Sequence, residues 1–315
     1  MSIKIIKGGL QTTIQDLGRQ QYREFGIAGN GALDEYSHQI ANWLVGNPKN
    51  KPTIEVTQIG PTLEFTEEAT IAVAGAEFEL SHNDQPCLMN TSLHMKQGDY
   101  LSFGKLQSGA RAYVAISGDI KVEPVMDSAS TNLMAGFGGH QGRALQDGDV
   151  LDIEPRQFDK TRSTPSELMK ELHHNLQQQH IVVRFTEGRE FARLSKPSQK
   201  AIHENNFSVS SYSNRMALKL EGEALRLTEE ISMTTVPIVS GTIQLPHGGN
   251  PIVTLADGQT AGGYPRIGQV ITADLSLLAQ LKAGDSLSFY PVTTEYALSI
   301  LKKKNRYIAS MLTES

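Results

Sequence analysis

The chain has 315 residues, 39% of them apolar, enough for one large domain or two ordinary ones with buried cores. Its formal net charge of −5 argues against nucleic acid as the main partner, because phosphate binding needs a basic face. No run approaches the ~18 consecutive apolar residues of a membrane span, and the N-terminus MSIKIIKGGLQTTIQDLGRQ has no apolar signal-peptide core. Cys87 is the only cysteine, which excludes an internal disulfide and fits a reducing, cytoplasmic setting. With no activating neighbour in sequence, it reads as a small apolar side chain rather than a nucleophile.

Residues 3–6 and 10–15 read as short strands on either side of a Gly8-Gly9 turn, and Asp16-Leu17-Gly18-Arg19 reads as the next turn. The glycine-rich stretch from Gly26 leads to Asp34, where a helix over residues 34–45 is predicted. Tyr36, Ile40, Trp43 and Leu44 lie near one face of it, and Gly46-Asn47-Pro48 is its stop. A glycine loop opening a helix can hold an anion on its free N–H groups. Neither G-x-x-x-x-G-K-[ST] nor G-x-G-x-x-G is present, so the phosphate reading carries little weight.

Residues 53–155 are β-like almost throughout. Thr53-Ile54-Glu55-Val56-Thr57, Thr62-Leu63-Glu64-Phe65, Thr70-Ile71-Ala72-Val73-Ala74 and Ala112-Tyr113-Val114-Ala115-Ile116 read as strands. Turn signals separate them at short intervals, the pattern of a barrel or sandwich rather than of βαβ units. A form G-D-x-L-x-[IF] recurs at Gly98-Asp99, Gly148-Asp149 and Gly284-Asp285, each a turn feeding an alternating strand. The loop from Gly136 to Arg143 resembles a dinucleotide fingerprint only superficially. Its third glycine falls one place late, and no strand–loop–helix context surrounds it.

Residues 156–180 are the least β-like. Thr164-Pro165-Ser166-Glu167 has the form of a capping box with Pro at the first helical position, and a helix is expected through Met169 and Leu172 to Leu176. This stretch reads as a connection between an N-terminal domain over 1–155 and a C-terminal domain over 181–315. His173, His174 and His180 read as a solvated helix end rather than a metal site. Further on, a strand at 181–185, a helix at 197–204 and strands at 207–210 and 217–220 are expected, with Ser213-Asn214-Arg215-Met216 as a turn. Asp274 is placed to cap a helix over 275–281, and Thr294 to cap a last helix through Ala297 and Ile300. Lys302-Lys303-Lys304 fall near the C-terminal part of that helix, suiting its dipole or forming a basic interaction patch.

The richest stretch is 239–273, with seven glycines and three prolines among 35 residues and β-type runs at 251–256 and 268–272. The loop between the runs carries Asp257, Gln259, Thr260, Tyr264 and Arg266 among Gly258, Gly262 and Gly263. Its glycines let the backbone approach either a ligand or another segment of the fold closely. Standard constellations such as G-x-S-x-G, H-E-x-x-H and C-x-x-C are absent. His94-Met95-Lys96-Gln97 shares only Met-Lys with the Ala-Met-Lys-Met of biotin carriers. Lys96 therefore reads as an exposed turn lysine, with no covalent biotin on this chain. There remain glycine-bearing polar loops at 12–19, 26–34, 136–143 and 241–266. Were they to converge, they would form a cleft of carboxylates, amides and an arginine, able to position a polar small molecule and stabilise developing charge.

These residues resemble the biotin-dependent carboxyltransferase family, also called allophanate hydrolase subunit 2. The marks run through nearly the whole chain. They include Gly9-Leu10-Gln11-Thr12-Thr13-Ile14-Gln15-Asp16-Leu17-Gly18-Arg19, Asn42-Trp43-Leu44-Val45-Gly46-Asn47-Pro48, Gly109-Ala110-Arg111-Ala112-Tyr113, Gly142-Arg143-Ala144-Leu145, Asn214-Arg215-Met216, Gly241-Thr242-Ile243-Gln244 and Gln259-Thr260-Ala261-Gly262-Gly263-Tyr264-Pro265. The chain departs from the family pattern in the loop from Gly26 to Asp34, which lacks two prolines. It departs again at Gly258 and at Ala129-Ser130-Thr131-Asn132, where relatives carry arginine.

The resemblance implies a mainly β protein with a few short helices, built of two β-barrel-like, cyclophilin-like domains. It also implies a subunit active only in a complex. With subunit-B-like and subunit-A-like partners of a 5-oxoprolinase, it would open 5-oxo-L-proline to L-glutamate using ATP, the nucleotide being shared with those partners. By motif, Asp257, Gln259, Arg19 and Asp16 would be catalytic. Gln15, Thr12, Asp34, Gln244, Thr260 and Tyr264 would line the substrate site, and Arg19 would pair with a substrate carboxylate. The family leaves two other functions open: the carboxyltransferase component of a urea-carboxylase-like system, and a binding protein that antagonises a sensor-kinase inhibitor.

Overall fold

The computed structural model describes residues 1–229 and 233–312. The chain divides into two compact units: Met1–Gln20 with Gly29–Gln177, and Gln21–Ala28 with Gln178–Ser315.

The first unit consists of β1 (Ser2–Lys7), β2 (Gln11–Gln15), α1 (Glu35–Leu44), β3 (Thr53–Thr57), β4 (Thr62–Phe65), β5 (Ala69–His82), β6 (Gln85–Cys87), β7 (Ser92–Met95), β8 (Tyr100–Ile116), β9 (Gly118–Ile120), β10 (Val150–Pro155) and α2 (Ser166–Gln177). Its strands form a ten-stranded sheet in the order β2-β3-β8-β4-β1-β10-β9, with β5 pairing β6, β7 and β8. Alternation decides which face is dry: Ile3, Ile5, Ile14, Ile54, Val56, Leu63, Phe65, Leu101, Ala112 and Val114 meet in one core. The register Thr13↔Glu55↔Tyr113 runs across β2, β3 and β8 on the opposite face, and all three residues are buried there too. The sheet is therefore apolar on one side and a covered polar layer on the other.

β5 and β8 are longer than the periodicity predicts. The expected strand over 70–74 runs on through a glycine: Gly75 has φ +111°, and the β5–β8 register shifts around Gly75, Glu77 and Phe78. Such bulges bend a strand without ending it. The three G-D turns fold alike. In each the glycine is left-handed, at φ +83°, +88° and +90°. Asp99, Asp149 and Asp285 each donate their backbone N–H to the carbonyl three residues back, at 3.1 Å. Their carboxylates accept the backbone N–H of Lys96, Gln146 and Lys282 in return. The Lys96 N–H and the side chains of Asn83 and His82 hold Asp99 down to about 2.

Helix α2 packs in the first unit, with Leu168 buried and His173 Nδ1 against the Glu77 carboxylate. The capping box expected there does not form, since Thr164 Oγ1 is buried without a hydrogen-bond partner.

The second unit contains β11 (His180–Glu187), α3 (Lys196–Glu204), β12 (Phe207–Val209), β13 (Ala217–Glu221), β14 (Val236–Pro237), β15 (Thr242–Gln244), β16 (Ile252–Thr254), β17 (Ala261–Gly262), β18 (Arg266–Val270), α4 (Leu275–Ala279), β19 (Ser286–Pro291) and α5 (Thr294–Met311). A closed barrel runs β11-β18-β15-β16-β13-β12-β19, and β14-β17 form a separate ribbon. The closing pair β11–β19 is parallel. Val183, Phe185, Phe207, Leu218, Ile243, Val253, Leu287 and Phe289 are among the buried residues of these strands.

Three sequence expectations are corrected in this unit. Asp274 makes no side-chain cap; its carboxylate instead takes the backbone N–H and guanidinium of Arg184. The cap of α5 is Thr293, one residue before Thr294, accepting from Tyr296 N–H at 3.2 Å. The lysines at 302–304 lie in the middle of α5 rather than at its C-terminus, so the dipole account lapses.

Candidate functional site

The residues singled out from sequence fall into both units. In the first, β2 carries Thr12 and Gln15, and the turn after it carries Asp16 and Arg19. Asp16 accepts hydrogen bonds from Gly18 N–H at 2.8 Å, Ser128 Oγ at 2.7 Å, Ala129 N–H at 2.7 Å and Ser130 Oγ at 2.5 Å. Arg19 is buried. Its guanidinium donates to the carbonyls of Val125, Ser128 and Ser130 and to Asn30 Oδ1, and it stacks on Phe137 at 5.0 Å. Asp16 and Arg19 together therefore clamp residues 125–130 to the end of β2. Ala129 takes part through its backbone N–H.

Thr12 Oγ1 donates to the Gly8 carbonyl at 2.5 Å and secures the β1–β2 turn. Asp34 caps α1, accepting from Ser37 N–H at 3.1 Å and Ser37 Oγ at 2.6 Å. Gln15 is fully buried; its Nε2 donates to Thr13 Oγ1 at 3.1 Å and the Thr131 carbonyl at 3.3 Å, while its Oε1 has no partner.

Beside these lies a buried titratable layer that the sequence did not announce. Glu55 Oε2 accepts from Leu33 N–H at 3.0 Å and Tyr113 Oη at 2.9 Å. Burial first, then the Glu55 charge, pushes the Tyr113 phenol well above its ordinary range. His38, on α1, is held down to about 4, chiefly by burial. The Asn42 amide gives its Nδ2 to the Lys51 carbonyl and takes Asn47 Nδ2 on its Oδ1, which leaves Nδ2 facing His38 Nε2 at 3.3 Å. Nε2 must therefore accept, and Nδ1–H donates to Thr53 Oγ1 at 2.9 Å.

In the second unit Asp257 is buried in a bidentate ion pair with Arg215, at 2.8 Å to Nε and 3.0 Å to Nη2. Leu255 N–H to Met216 O at 2.8 Å and Asp257 N–H to Arg215 O at 3.2 Å tie the same two segments by backbone. Gly258 fits this turn closely: a Cβ there would lie 2.8 Å from Met216 O and 2.9 Å from Leu255 O. Gln259 is exposed and Thr260 half-buried, its carbonyl accepting from Ile238 N–H at 2.9 Å. Gln244, at the end of β15, is buried; a Cβ on Gly262 would lie 2.6 Å from its Nε2, so the missing side chain leaves room for that amide. Tyr264 is exposed, with its ring edge-on to His247 at 6.3 Å. Arg266 is engaged by Glu190 through both Nε and Nη2, at 3.1 Å each.

Both units thus show the same division. The charged residues picked from sequence are tied into internal clamps, and in the second unit the accessible side chains are an amide, a phenol and an imidazole: Gln259, Tyr264 and His247. Such groups position and hydrogen-bond a small polar ligand. Among the described residues no cluster of three or more His, Cys, Asp or Glu side chains is arranged to hold a metal ion, and no helix is long and apolar enough to cross a membrane. Sequence reasoning read Arg215 as a turn residue and a mark of the family, without a site role, and passed over His247. Nothing local links positions 215 and 257.

The mainly β architecture, with its closed barrel, is that of a carboxyltransferase domain. The chain belongs to the family described as carboxyltransferase domain, subdomain A and B, whose model matches residues 25–291. Among individual proteins it is similar to the 5-oxoprolinase C subunit of Escherichia coli (strain K12), 38% identical over 98% of this chain and 97% of that one. It is also similar to the 5-oxoprolinase C subunit of Haemophilus influenzae, 33% identical over 97% and 96%. Of solved structures, the urea carboxylase of Kluyveromyces lactis superposes with a TM-score of 0.91 at 27% identity, covering 98% of this chain but only 29% of that chain.

Proposed function

We propose that this chain is the C subunit of an ATP-dependent 5-oxoprolinase, helping to convert 5-oxo-L-proline to L-glutamate with ATP hydrolysis. The end-to-end match to the two bacterial subunits carries this reading: it leaves almost no part of either protein unaccounted for. The urea-processing relatives are several times longer, and this chain corresponds to one segment of them. A γ-lactam is a stable amide, so coupling to ATP is physically reasonable: phosphorylation of the amide oxygen makes the ring carbonyl open to attack. The ATP is shared with subunit-A-like and subunit-B-like partners, no biotin is attached to this chain, and it acts as a cyclic-amide hydrolase only within that complex.

In this reading Gln259, Thr260 and Tyr264 contact the lactam, with the Gln244 amide behind them. Asp257 acts through the Arg215 clamp, which sets where Gln259 points. In the first unit Asp16 and Arg19 hold residues 125–130 in place beside Gln15, and Thr12 and Asp34 fix the segments on either side. The deciding experiment reconstitutes the chain with the two partner subunits and measures glutamate release from 5-oxoproline with ATP. Glutamate formed only when all the components are present supports the proposal; its absence from a correctly assembled complex rejects it.

A second reading has one specific observation in its favour, the TM-score of 0.91 to urea carboxylase. In that case the chain transfers a carboxyl group between a biotinylated carrier and a urea-like amide. Carboxylation of urea by the chain mixed with a carboxybiotin carrier, with no glutamate release from 5-oxoproline, is the result that would favour it.

A further inference from the structure

On the outer side of the second unit's barrel, three large side chains stand more than half exposed: Val182 on β11 at 54%, Tyr290 on β19 at 59% and Tyr296 on α5 at 57%. They form one patch. The register of the parallel pair sets Val182 beside Ser288 and Arg184 beside Tyr290, with Ile181, Val183, Leu287 and Phe289 turned inward. Tyr296 stands on the first turn of α5, the helix that packs against β11. Arg184 itself is neutralised by Asp274, so the centre of the patch is aromatic and aliphatic without an open charge.

Helix α5 supplies the border. Its inner side is already docked, with Ile308 buried and Lys304 Nζ donating to the Ala273 carbonyl at 2.8 Å. At 100° per residue the opposite side presents Lys302, Lys303 and Arg306, all exposed. The helix holds four cations against Glu295, a net of +3 in a chain of net −5, which leaves −8 for the remainder. A strongly basic helix of an acidic protein thus lies next to its exposed aromatic patch. Tyrosine is the kind of residue that anchors protein interfaces, and a charged border governs encounter more than affinity.

We infer that Val182, Tyr290, Tyr296 and the outer side of α5 form the docking surface for a different protein subunit, one presenting carboxylates around an apolar centre. The inference rests on the reading above, in which the chain works only with partner subunits. A second copy of this chain fits less well, because like basic helices would face each other across a symmetric contact. A membrane fits less well too, because the apolar side of α5 is already occupied.

The test uses purified full-length chain and the purified partner subunits, with binding followed by surface-immobilised kinetics and activity by glutamate release. Tyr290→Ser with Tyr296→Ser should weaken the complex about tenfold or more through faster dissociation. Lys302→Glu with Lys303→Glu should slow association and flatten its dependence on salt. Thermal unfolding of the isolated chain should stay unchanged in both, since the altered side chains are exposed. Complex formation within about twofold of wild type in both variants overturns the inference while leaving the proposed function standing. A wild-type chain that neither assembles nor releases glutamate overturns both. Binding of the chain to anionic phospholipid vesicles or to itself, lost in the same variants and with partner binding intact, also overturns it.

Discussion

Arg215 grips both carboxylate oxygens of Asp257 inside the second unit, at 2.8 and 3.0 Å, with both side chains almost wholly removed from water. The pair joins the turn after β12 to the turn after β16, across 42 residues of sequence. It bears directly on how the loop carrying Gln259 is held, and it gives the first expectation. Removing one partner leaves the other's buried charge without its bidentate counter-ion, so Arg215→Met or Asp257→Leu alone should cost about 3–5 kcal/mol in urea unfolding. The double variant should recover a large part of that loss. Arg215→Lys should not rescue, because a point charge cannot match the bidentate geometry. A double variant no more stable than either single one would show that the pair is not what links these turns.

Asp16 offers a second expectation. Its carboxylate satisfies donors from Gly18, Ser128, Ala129 and Ser130 at once. Asp16→Ala leaves those donors without an acceptor and should cost about 1–3 kcal/mol. Hydrogen exchange should speed up first over residues 125–131, ahead of the strands of the core. Uniform acceleration across the unit would mean that Asp16 supports the whole fold and not this loop.

His38 makes a pH-dependent contribution whose sign follows from its burial. Its folded pKa is lowered from 6.5 to about 4, so the unfolded chain binds the proton more readily. Stability is complete above about pH 6.5 and falls as pH drops from there towards 4, by up to about 3 kcal/mol once both states are protonated. His38→Gln should flatten this acid limb. An unfolding free energy of the variant with the same slope between pH 6.5 and 4 would assign the limb to other groups.

Gly142 combines left-handed backbone, φ +69°, with a Cβ position only 2.1 Å from the Gly136 carbonyl oxygen. Gly142→Ala therefore meets both backbone strain and a rigid neighbour, and should lose about 2 kcal/mol or more. Gly98 also has positive φ, at +83°, but a Cβ there meets nothing within 4 Å. Gly98→Ala should lose only about 1 kcal/mol, the strain alone. Equal melting-temperature shifts for the two would refute the steric share.

Tyr264 and Gln259 are exposed and should behave oppositely to the clamp residues. Tyr264→Phe and Gln259→Ala should change unfolding free energy by less than about 0.5 kcal/mol, as surface substitutions do. In the reconstituted complex they should lower glutamate release. Loss of stability without loss of turnover would place them with the structural residues.

Much was legible without coordinates. Alternation located most strands, Asp34 announced the start of α1, and the G-D turn recurs three times with one geometry because a glycine-aspartate pair is locally sufficient to make it. The motif resemblance reached the family. Local rules failed where a tertiary partner outweighed a local one. Asp274 gives up a cap for Arg184, Thr164 is buried away from its box, and Gly75 bends β5 instead of ending it.

The sequence by itself determined the β architecture, the turn chemistry and the polar loops, since each depends on periods and neighbours a few residues apart. Only the tertiary structure decided what the charged loop residues do. Arg19 meets Ser130, and Arg215 meets Asp257, across separations that no local pattern encodes. Burial then makes those charges find each other, because an ion removed from water is tolerable only beside its counter-ion or its hydrogen-bond partners.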